Sequence, residues 1–140
     1  MAMARAVLID SGPIVAALCR RDQRHQWARA HFEALAEPCL TCDAVLSESF
    51  FLLQRANEGR ERLCSMLDRG IITSVYSLQT NLSETINLMN RYADTPMSFA
   101  DACLVRMAET QDDATVFTTD RDFETYRKNG RLIIPLIKPW

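Results

Sequence analysis

Four acidic residues that are far apart in the sequence lie where carboxylates can take part in chemistry. Asp10 and Asp120 each follow a short apolar run, "AVLI" and "TVFTT" respectively. Glu48 and Asp101 lie in segments whose apolar spacing predicts helices, "DAVLSESFFLL" and "MSFADACLV". If these four elements share one edge of the fold, the four carboxylates converge there.

A cluster of this kind favours metal-assisted hydrolysis. Unpaired carboxylates repel one another, and some of them retain protons unless a positive charge is present. Mg²⁺ and Mn²⁺ are hard cations that prefer oxygen ligands. Such a cation lowers the pKa of an attacking water and offsets charge on a leaving oxygen, so we predict attack of water on a phosphodiester.

Each acid also has a structural explanation that requires no activity. Asp10 and Asp120 can cap the helices that follow them, and Asp101 stands at capping-box spacing from Ser98. Glu48 can be a solvated helix residue. Capping alone does not explain why all four acids fall at positions expected to line one site.

The apolar pattern predicts strands that alternate with helices. Strands are predicted at residues 6–9, 39–42, 71–75, 115–119 and 132–134. Helices are predicted after Asp10, with Pro13 in the first turn, at 23–36, 43–56, 60–70, 81–92 and 98–111, and briefly after Thr119. Asn81 and Glu84 have the spacing of a capping box. Several strands are continuous apolar runs, which predicts a three-layer α/β/α sandwich with a mainly parallel central sheet. Sites in such sheets form beyond the carboxyl ends of the strands, where Asp10 and Asp120 lie.

Composition sets wider limits on the class of protein. A chain of 140 residues with 48% hydrophobic and 24% charged residues predicts one soluble domain, residues 1–140. No segment has the apolar length of a membrane span or secretory signal, so a cytoplasmic location is expected.

A net charge of −2 argues against coating nucleic acid by bulk attraction but leaves a nucleic-acid enzyme possible. The five cysteines are irregularly spaced, which disfavours a disulfide framework, and the Cys39/Cys42 pair has no second pair for zinc.

Four segments of the sequence resemble the PIN-domain ribonucleases. They are "VLIDSGPIVAAL", "LTCDAVLSESFFLL", "MSFADACLVRMAE" and "VFTTDRDF", in the order that the family has them. The last two are the more specific. In size the chain is similar to the VapC-type toxins of bacterial toxin–antitoxin pairs.

This resemblance implies a PIN-like sandwich that hydrolyses RNA with Mg²⁺ or Mn²⁺ in an acidic pocket. Asp10, Glu48, Asp101 and Asp120 would form its acidic quartet. Asp10, Asp101 and Asp120 would be metal ligands, and Glu48 would hold a metal-bound water or assist its deprotonation. The candidates for substrate binding are Ser11, Thr118 and Asp122. Homodimers and a cognate antitoxin that inserts a segment into the active-site groove are also implied. The Gly12-Pro13 pair departs from the family pattern, so the first helix is expected to start differently.

Two other readings remain open from the sequence. A PIN-fold protein outside a toxin–antitoxin pair could bind or process RNA. A receiver-like phospho-acceptor domain also clusters acids around magnesium, but it requires a lysine after a late strand. Lys128 and Lys138 are the only lysines, and neither follows a predicted strand in the required way.

Overall fold

The structure is a computed structural model that describes residues 6–140. In that range the strands are β1 (Val7–Ile9), β2 (Cys39–Thr41), β3 (Ile72–Ser74), β4 (Thr115–Phe117), β5 (Arg127–Lys128), β6 (Leu132–Ile133) and β7 (Leu136–Ile137). The α-helices are α1 (Ser11–Leu18), α2 (His25–Ala34), α3 (Asp43–Leu52), α4 (Gly59–Asp68), α5 (Leu82–Arg91) and α6 (Phe99–Thr110). Two short 3₁₀ helices span Gln79–Asn81 and Arg121–Glu124.

Five strands form one parallel sheet with β1 at its centre. The spatial order is β3-β2-β1-β4-β7, and Val7 of β1 lies opposite Cys39 on one side and Thr115 on the other. The chain moves outward from β1 to β2 and β3, and then crosses back to β4. The strand order therefore reverses between β1 and β4, and such a switch point is where open parallel sheets form their sites.

The helices cover both faces of this sheet. Helix α1 packs against α2, α3 and α4, whereas α6 packs against α5, β1 and β4. Right-handed crossovers account for the division, because the chain travels in opposite directions along the sheet in its two halves. The predicted three-layer α/β/α sandwich with a parallel central sheet is confirmed.

The central strands are anchored by aromatic packing as well as by their own burial. Leu8, Ile9 and Phe117 are fully buried, and burial of such a side chain contributes about 1.5–3 kcal/mol relative to leaving it exposed. The rings of Trp27 and Phe32 on α2 each lie 5.4 Å from the ring of Phe117. This packing holds the end of β4 in place, and with it the residues that follow.

The last strand of the central sheet differs from the prediction. Leu132–Ile133 forms β6, which pairs antiparallel with β5 in a separate ladder, and its side chains are exposed. The chain joins the central sheet only after this point, where the carbonyl of Pro135 accepts a hydrogen bond from the amide of Val116. Strand β7 then pairs with β4. A strand of two residues that directly follows a proline gives no periodic signal in the sequence.

The capping box predicted at Asn81 and Glu84 is wrong. Helix α5 continues directly from the 3₁₀ helix, and the Asn81 side chain makes no capping hydrogen bond. Its amide nitrogen donates to the carbonyl of Ser77, and its oxygen accepts from Nε of Arg106, both at 2.9 Å. The arginine on α6 therefore takes the acceptor that the cap would have used.

Two further observations concern the class of protein. No helix within residues 6–140 has both the length and the apolar character needed to cross a membrane. All five cysteines are free, and Cys39, Cys42 and Cys103 are buried. Burial raises the pKa of the Cys39 thiol to about 12, which makes this residue part of the core and a poor nucleophile.

Candidate active site

A pocket of about 350 Å³ opens at the switch point between β1 and β4. All four acids of the predicted quartet line it. The complete lining is Asp10, Ser11, Gly12, Glu48, Leu52, Pro96, Ser98, Asp101, Thr119 and Asp120. Residues from four separate segments of the chain therefore share one concave surface, as the positions of the acids in the sequence predict.

Asp10 lies at the base of this pocket and is only 6% exposed. It is the N-cap of α1: its Oδ1 accepts from the amide of Ser11 and its Oδ2 from the hydroxyl of Thr118, both at 2.8 Å. Burial raises the pKa of Asp10 to about 7, and the charges of Asp101 and Glu48 add to the increase, while the two hydrogen bonds oppose it. A positive charge placed here would relieve both the burial and the repulsion.

Asp101 is held by a capping box at the start of α6. The hydroxyl of Ser98 accepts from the amide of Asp101 at 3.0 Å, and Oδ2 of Asp101 accepts from the amide of Ser98 at 3.2 Å. The buried hydroxyl of Tyr126 donates to the same Oδ2 at 3.0 Å. Burial and the charge of Asp120 raise the pKa of Asp101, while these hydrogen bonds lower it. Among the described residues, Oδ1 receives no hydrogen bond.

Thr118 connects two of the acids. Its fully buried hydroxyl donates to Asp10 and accepts from the backbone amide of Asp120 at 3.0 Å. Asp120 in turn caps the 3₁₀ helix through Oδ1, which accepts from the amide of Asp122 at 2.9 Å. Asp122 lies beside Asp120, and partial burial together with the Asp120 charge raises its pKa. One hydroxyl thus fixes the spacing between the ends of β1 and β4.

Glu48 reaches the pocket from the exposed side of α3. Val45 and Ser49, on the neighbouring face of this helix, are fully buried, and the Ser49 hydroxyl donates to the carbonyl of Val45 one turn earlier in the same helix at 2.8 Å. Glu48 itself is exposed, and within residues 6–140 its carboxylate accepts no hydrogen bond. It is close enough for its charge to act on Asp10.

The structural explanations of three acids are correct, and they do not compete with a site. Asp10, Asp101 and Asp120 all make capping hydrogen bonds, and all three also line the pocket. Each carboxylate has about four lone-pair positions, so a cap leaves acceptor capacity unused. The caps hold the acids in fixed orientations toward the pocket.

Two residues that the sequence reasoning did not assign are important for the geometry. A Cβ atom at Gly12 would lie 2.0 Å from Oγ1 and 3.2 Å from Cβ of Thr119, so a larger residue here would force the Thr119 side chain to move where the first turn of α1 approaches the end of β4. The unusual Gly12-Pro13 pair was the available signal, although α1 begins at Ser11 with Pro13 as its third residue. The contact of Tyr126 with Asp101 has no signal in the local sequence.

The donor chemistry of the pocket fits a hydrated divalent cation. Within residues 6–140, no three His, Cys, Asp or Glu side chains lie close enough together to form a ready-made metal cage. Magnesium, however, normally binds one or two protein carboxylates and retains several waters. Oδ1 of Asp101 and Oδ2 of Asp120 accept no hydrogen bond from the described residues. The pocket therefore offers unpaired carboxylate oxygens and room for water.

Comparison with known proteins identifies the family of this fold. The sequence matches the family model of the PIN domain over residues 7–129. The chain belongs to the PIN-domain family. The fold of this PIN domain is similar to the crystal structure of VapC20 from Mycobacterium tuberculosis, a sarcin-ricin loop cleaving toxin, with a TM-score of 0.76. The match covers 86% of this chain and 94% of that chain at 17% identity. Among curated proteins, no sequence matches significantly.

Lys138 differs from the expectation that neither lysine directly follows a strand. It does follow a strand, because β7 ends at Ile137, which the sequence did not predict. Its ammonium group lies 3.6 Å from a carboxylate oxygen of Glu124 and 5.3 Å from the ring centroid of Trp140. It does not line the acidic pocket of this PIN domain. Its position after a strand therefore does not supply the lysine that a receiver needs.

Proposed function

We propose that this PIN domain, acting as one domain over residues 1–140, is an endoribonuclease that depends on Mg²⁺ or Mn²⁺. The observation that carries the proposal is the pocket at the switch point, where four acids from distant segments meet. In this scheme the cation is held by Asp10, Asp101 and Asp120. A bound divalent cation lowers the pKa of the attacking water and offsets charge on the leaving oxygen.

The other residues of the site have separate proposed roles in hydrolysis and substrate binding. Glu48 lines the pocket, is exposed and has no hydrogen bond from the described residues, so its carboxylate is available to orient a water and accept its proton, which is the role of a general base. Ser11 lines the pocket and Asp122 stands next to Asp120, so both can contact substrate. Thr118, also a candidate for substrate contact, is fully buried. Its two hydrogen bonds support a role in spacing Asp10 and Asp120.

We further propose that the protein is the toxin of a toxin–antitoxin pair in the cytoplasm, blocked by a cognate antitoxin. The similarity of its fold to that of VapC20 supports this role. A homodimer is part of the same proposal. It is supported by an exposed apolar stripe on α5, where Leu82, Ile86 and Met89 are 38%, 47% and 38% exposed at helical spacing.

Cleavage of RNA by the purified protein tests the enzymatic proposal. With Mg²⁺ or Mn²⁺ we expect discrete RNA fragments, and with EDTA we expect none. Asp10→Asn and Asp101→Asn should each abolish cleavage while the domain still folds, because each removes a negative ligand but keeps the shape of the side chain. Asp112→Asn is the matched control, since Asp112 is exposed and does not line the pocket.

Three outcomes would contradict the proposal. One is wild-type cleavage by either pocket variant once contaminating nuclease has been excluded. Another is cleavage that is equally fast in EDTA. The third is tight RNA binding without cleavage by the wild-type protein in either metal, which would favour a PIN-fold RNA-binding protein instead.

A further inference from the structure

A cavity lined by arginines lies beside the acidic pocket. The loop that joins α1 to α2 and the loop that joins α3 to α4 enclose about 480 Å³. Arg20, Arg21, Arg55 and Arg62 line this cavity, and Glu58 is the only acid among its lining residues. The two loops meet because α1 packs against both α3 and α4.

Another cavity lies between this one and the acidic pocket. A second cavity, of about 540 Å³, shares Arg21 with the arginine-lined cavity and also contains Arg24. On its other side it shares Gly12, Leu52 and Thr119 with the acidic pocket. The three hollows therefore adjoin one another and are here called the depression, with the carboxylates of the acidic pocket at one end and guanidinium groups at the other. The middle cavity also has one acid, Asp22, among its lining residues.

Most of these arginines have no acidic partner. Among the described residues, the guanidinium groups of Arg20, Arg21, Arg24 and Arg55 have no carboxylate oxygen within 4.0 Å, although the backbone amide of Arg24 donates to Asp22 at 2.8 Å. Arg62 is 3.6 Å from Glu58 on the same helical face, so its charge is partly compensated. The planar guanidinium group binds phosphate oxygens through two parallel hydrogen bonds. Unpaired arginines around an open cavity thus form a surface suited to phosphodiesters.

We propose that Arg20, Arg21, Arg24 and Arg55, here called the arginine path, bind backbone phosphates of the RNA whose scissile bond lies in the acidic pocket. This inference rests on the proposed nuclease function. A chain of net charge −2 with four carboxylates in its pocket repels a polyanion. The arginine path supplies the local attraction that brings RNA to such a pocket.

An acidic protein segment is the other partner that arginines would attract. Such a segment would be attracted to the arginine end of the depression without using the acidic pocket. The proposed function already places a phosphodiester of RNA in that pocket, so further phosphates of the same strand can reach the adjoining cavities. The position of the arginines beside the pocket therefore favours RNA over an acidic protein.

Salt-dependent RNA binding tests the arginine path. A fluorescent single-stranded RNA is titrated with protein in EDTA, so that no cleavage occurs, and Kd is measured by anisotropy at several KCl concentrations. For Arg21→Gln/Arg55→Gln we expect Kd to rise about ten-fold at low salt. The slope of log Kd against log salt should fall by about 1.4, because each phosphate contact to a single strand contributes about 0.7.

The matched control is Arg69→Gln/Arg131→Gln, which removes the same charge from exposed positions outside the depression. We expect a much smaller rise in Kd and an almost unchanged slope. Equal losses in the two double variants would overturn the inference, since only total charge would then matter. An unchanged Kd in Arg21→Gln/Arg55→Gln, with wild-type thermal melting, would overturn it as well.

Binding of an acidic peptide tests whether the arginine path binds a protein partner instead of RNA. If a poly-glutamate peptide binds the wild-type protein and loses affinity in Arg21→Gln/Arg55→Gln, while RNA binding is unaffected, the inference is wrong. Its failure can also be told apart from failure of the nuclease proposal. Wild-type protein that neither binds nor cleaves RNA overturns both, whereas metal-dependent cleavage combined with equal losses in the two double variants overturns only the arginine path.

Discussion

The acids of the pocket form two contrasting pairs. Asp10 and Asp101 are each 6% exposed, and each accepts hydrogen bonds from two different residues. Glu48 is exposed without a hydrogen bond from the described residues, and Asp120 is half-buried with one. The buried pair has fixed orientations and unfavourable charge, Asp120 is held by a single cap that leaves Oδ2 unpaired, and Glu48 is held by no hydrogen bond from the described residues.

This contrast explains how the pocket can bind a cation although the described residues form no complete, preformed set of metal ligands. A fixed pair of carboxylates supplies a reproducible place for the ion. Glu48 and the unpaired Oδ2 of Asp120 are available to water and phosphate, which change during hydrolysis.

The largest effect expected from this contrast is a pH-dependent loss of stability in EDTA. Folded protein keeps the proton of Asp10 up to about pH 7, whereas the unfolded chain releases it near the ordinary value of 3.8. Between these values the folded state binds more protons, so the free energy of unfolding decreases as pH rises. For Asp10 this decrease is on the order of 4 kcal/mol at most, measurable by urea unfolding at several pH values.

Substitution of Asp10 tests whether this residue causes the pH dependence of stability. Asp10→Asn cannot ionise, so its stability should vary much less between pH 4 and pH 7 and should exceed that of wild type at pH 7. Asp112→Asn keeps Asp10 and should retain the wild-type slope. If Asp10→Asn is instead less stable than wild type at pH 7 in EDTA, the capping bond of Asp10 outweighs its unfavourable charge, and the contrast between the two pairs is wrong.

A smaller effect is expected when the support of the buried pair is removed. Tyr126→Phe deletes the hydroxyl that donates to Asp101, which should cost about 1–2 kcal/mol in the free energy of unfolding. Tyr92→Phe is a matched control, because its hydroxyl accepts from the amide of Arg127 and its ring packs on that of Tyr126.

Cation binding distinguishes these two variants. Both should be destabilised to a similar degree, but only Tyr126→Phe should weaken Mn²⁺ binding, by several-fold, because only it releases Asp101. Binding can be followed by the loss of the electron paramagnetic resonance signal of free Mn²⁺. Equal Mn²⁺ affinity in the two variants would mean that Tyr126 contributes to stability alone.

Strands and helix caps could be predicted where they depend on a local sequence pattern. Apolar runs predicted β1 and β4, and the Ser98–Asp101 spacing predicted a cap that the structure confirms. Because sites form at the carboxyl ends of parallel strands, Asp10 and Asp120 were then expected to lie close together.

Features that depend on long-range packing could not be read in the same way. Strand β7 is recognisable only by its pairing with β4, and the Asn81 side chain is taken by an arginine on another helix. The arginine path is built from two loops that lie more than thirty residues apart in the chain. Nothing in either loop alone indicates that they face each other.

An anomalous difference map from crystals grown with MnCl₂ tests the central claim most directly, since it locates the cation without relying on activity. We expect one strong manganese peak in the pocket, about 2.1 Å from a carboxylate oxygen of Asp10 or Asp101, with water completing its coordination. The same data from Asp101→Asn crystals should show a much weaker peak. Manganese bound only elsewhere, with the wild-type pocket empty, would contradict the account.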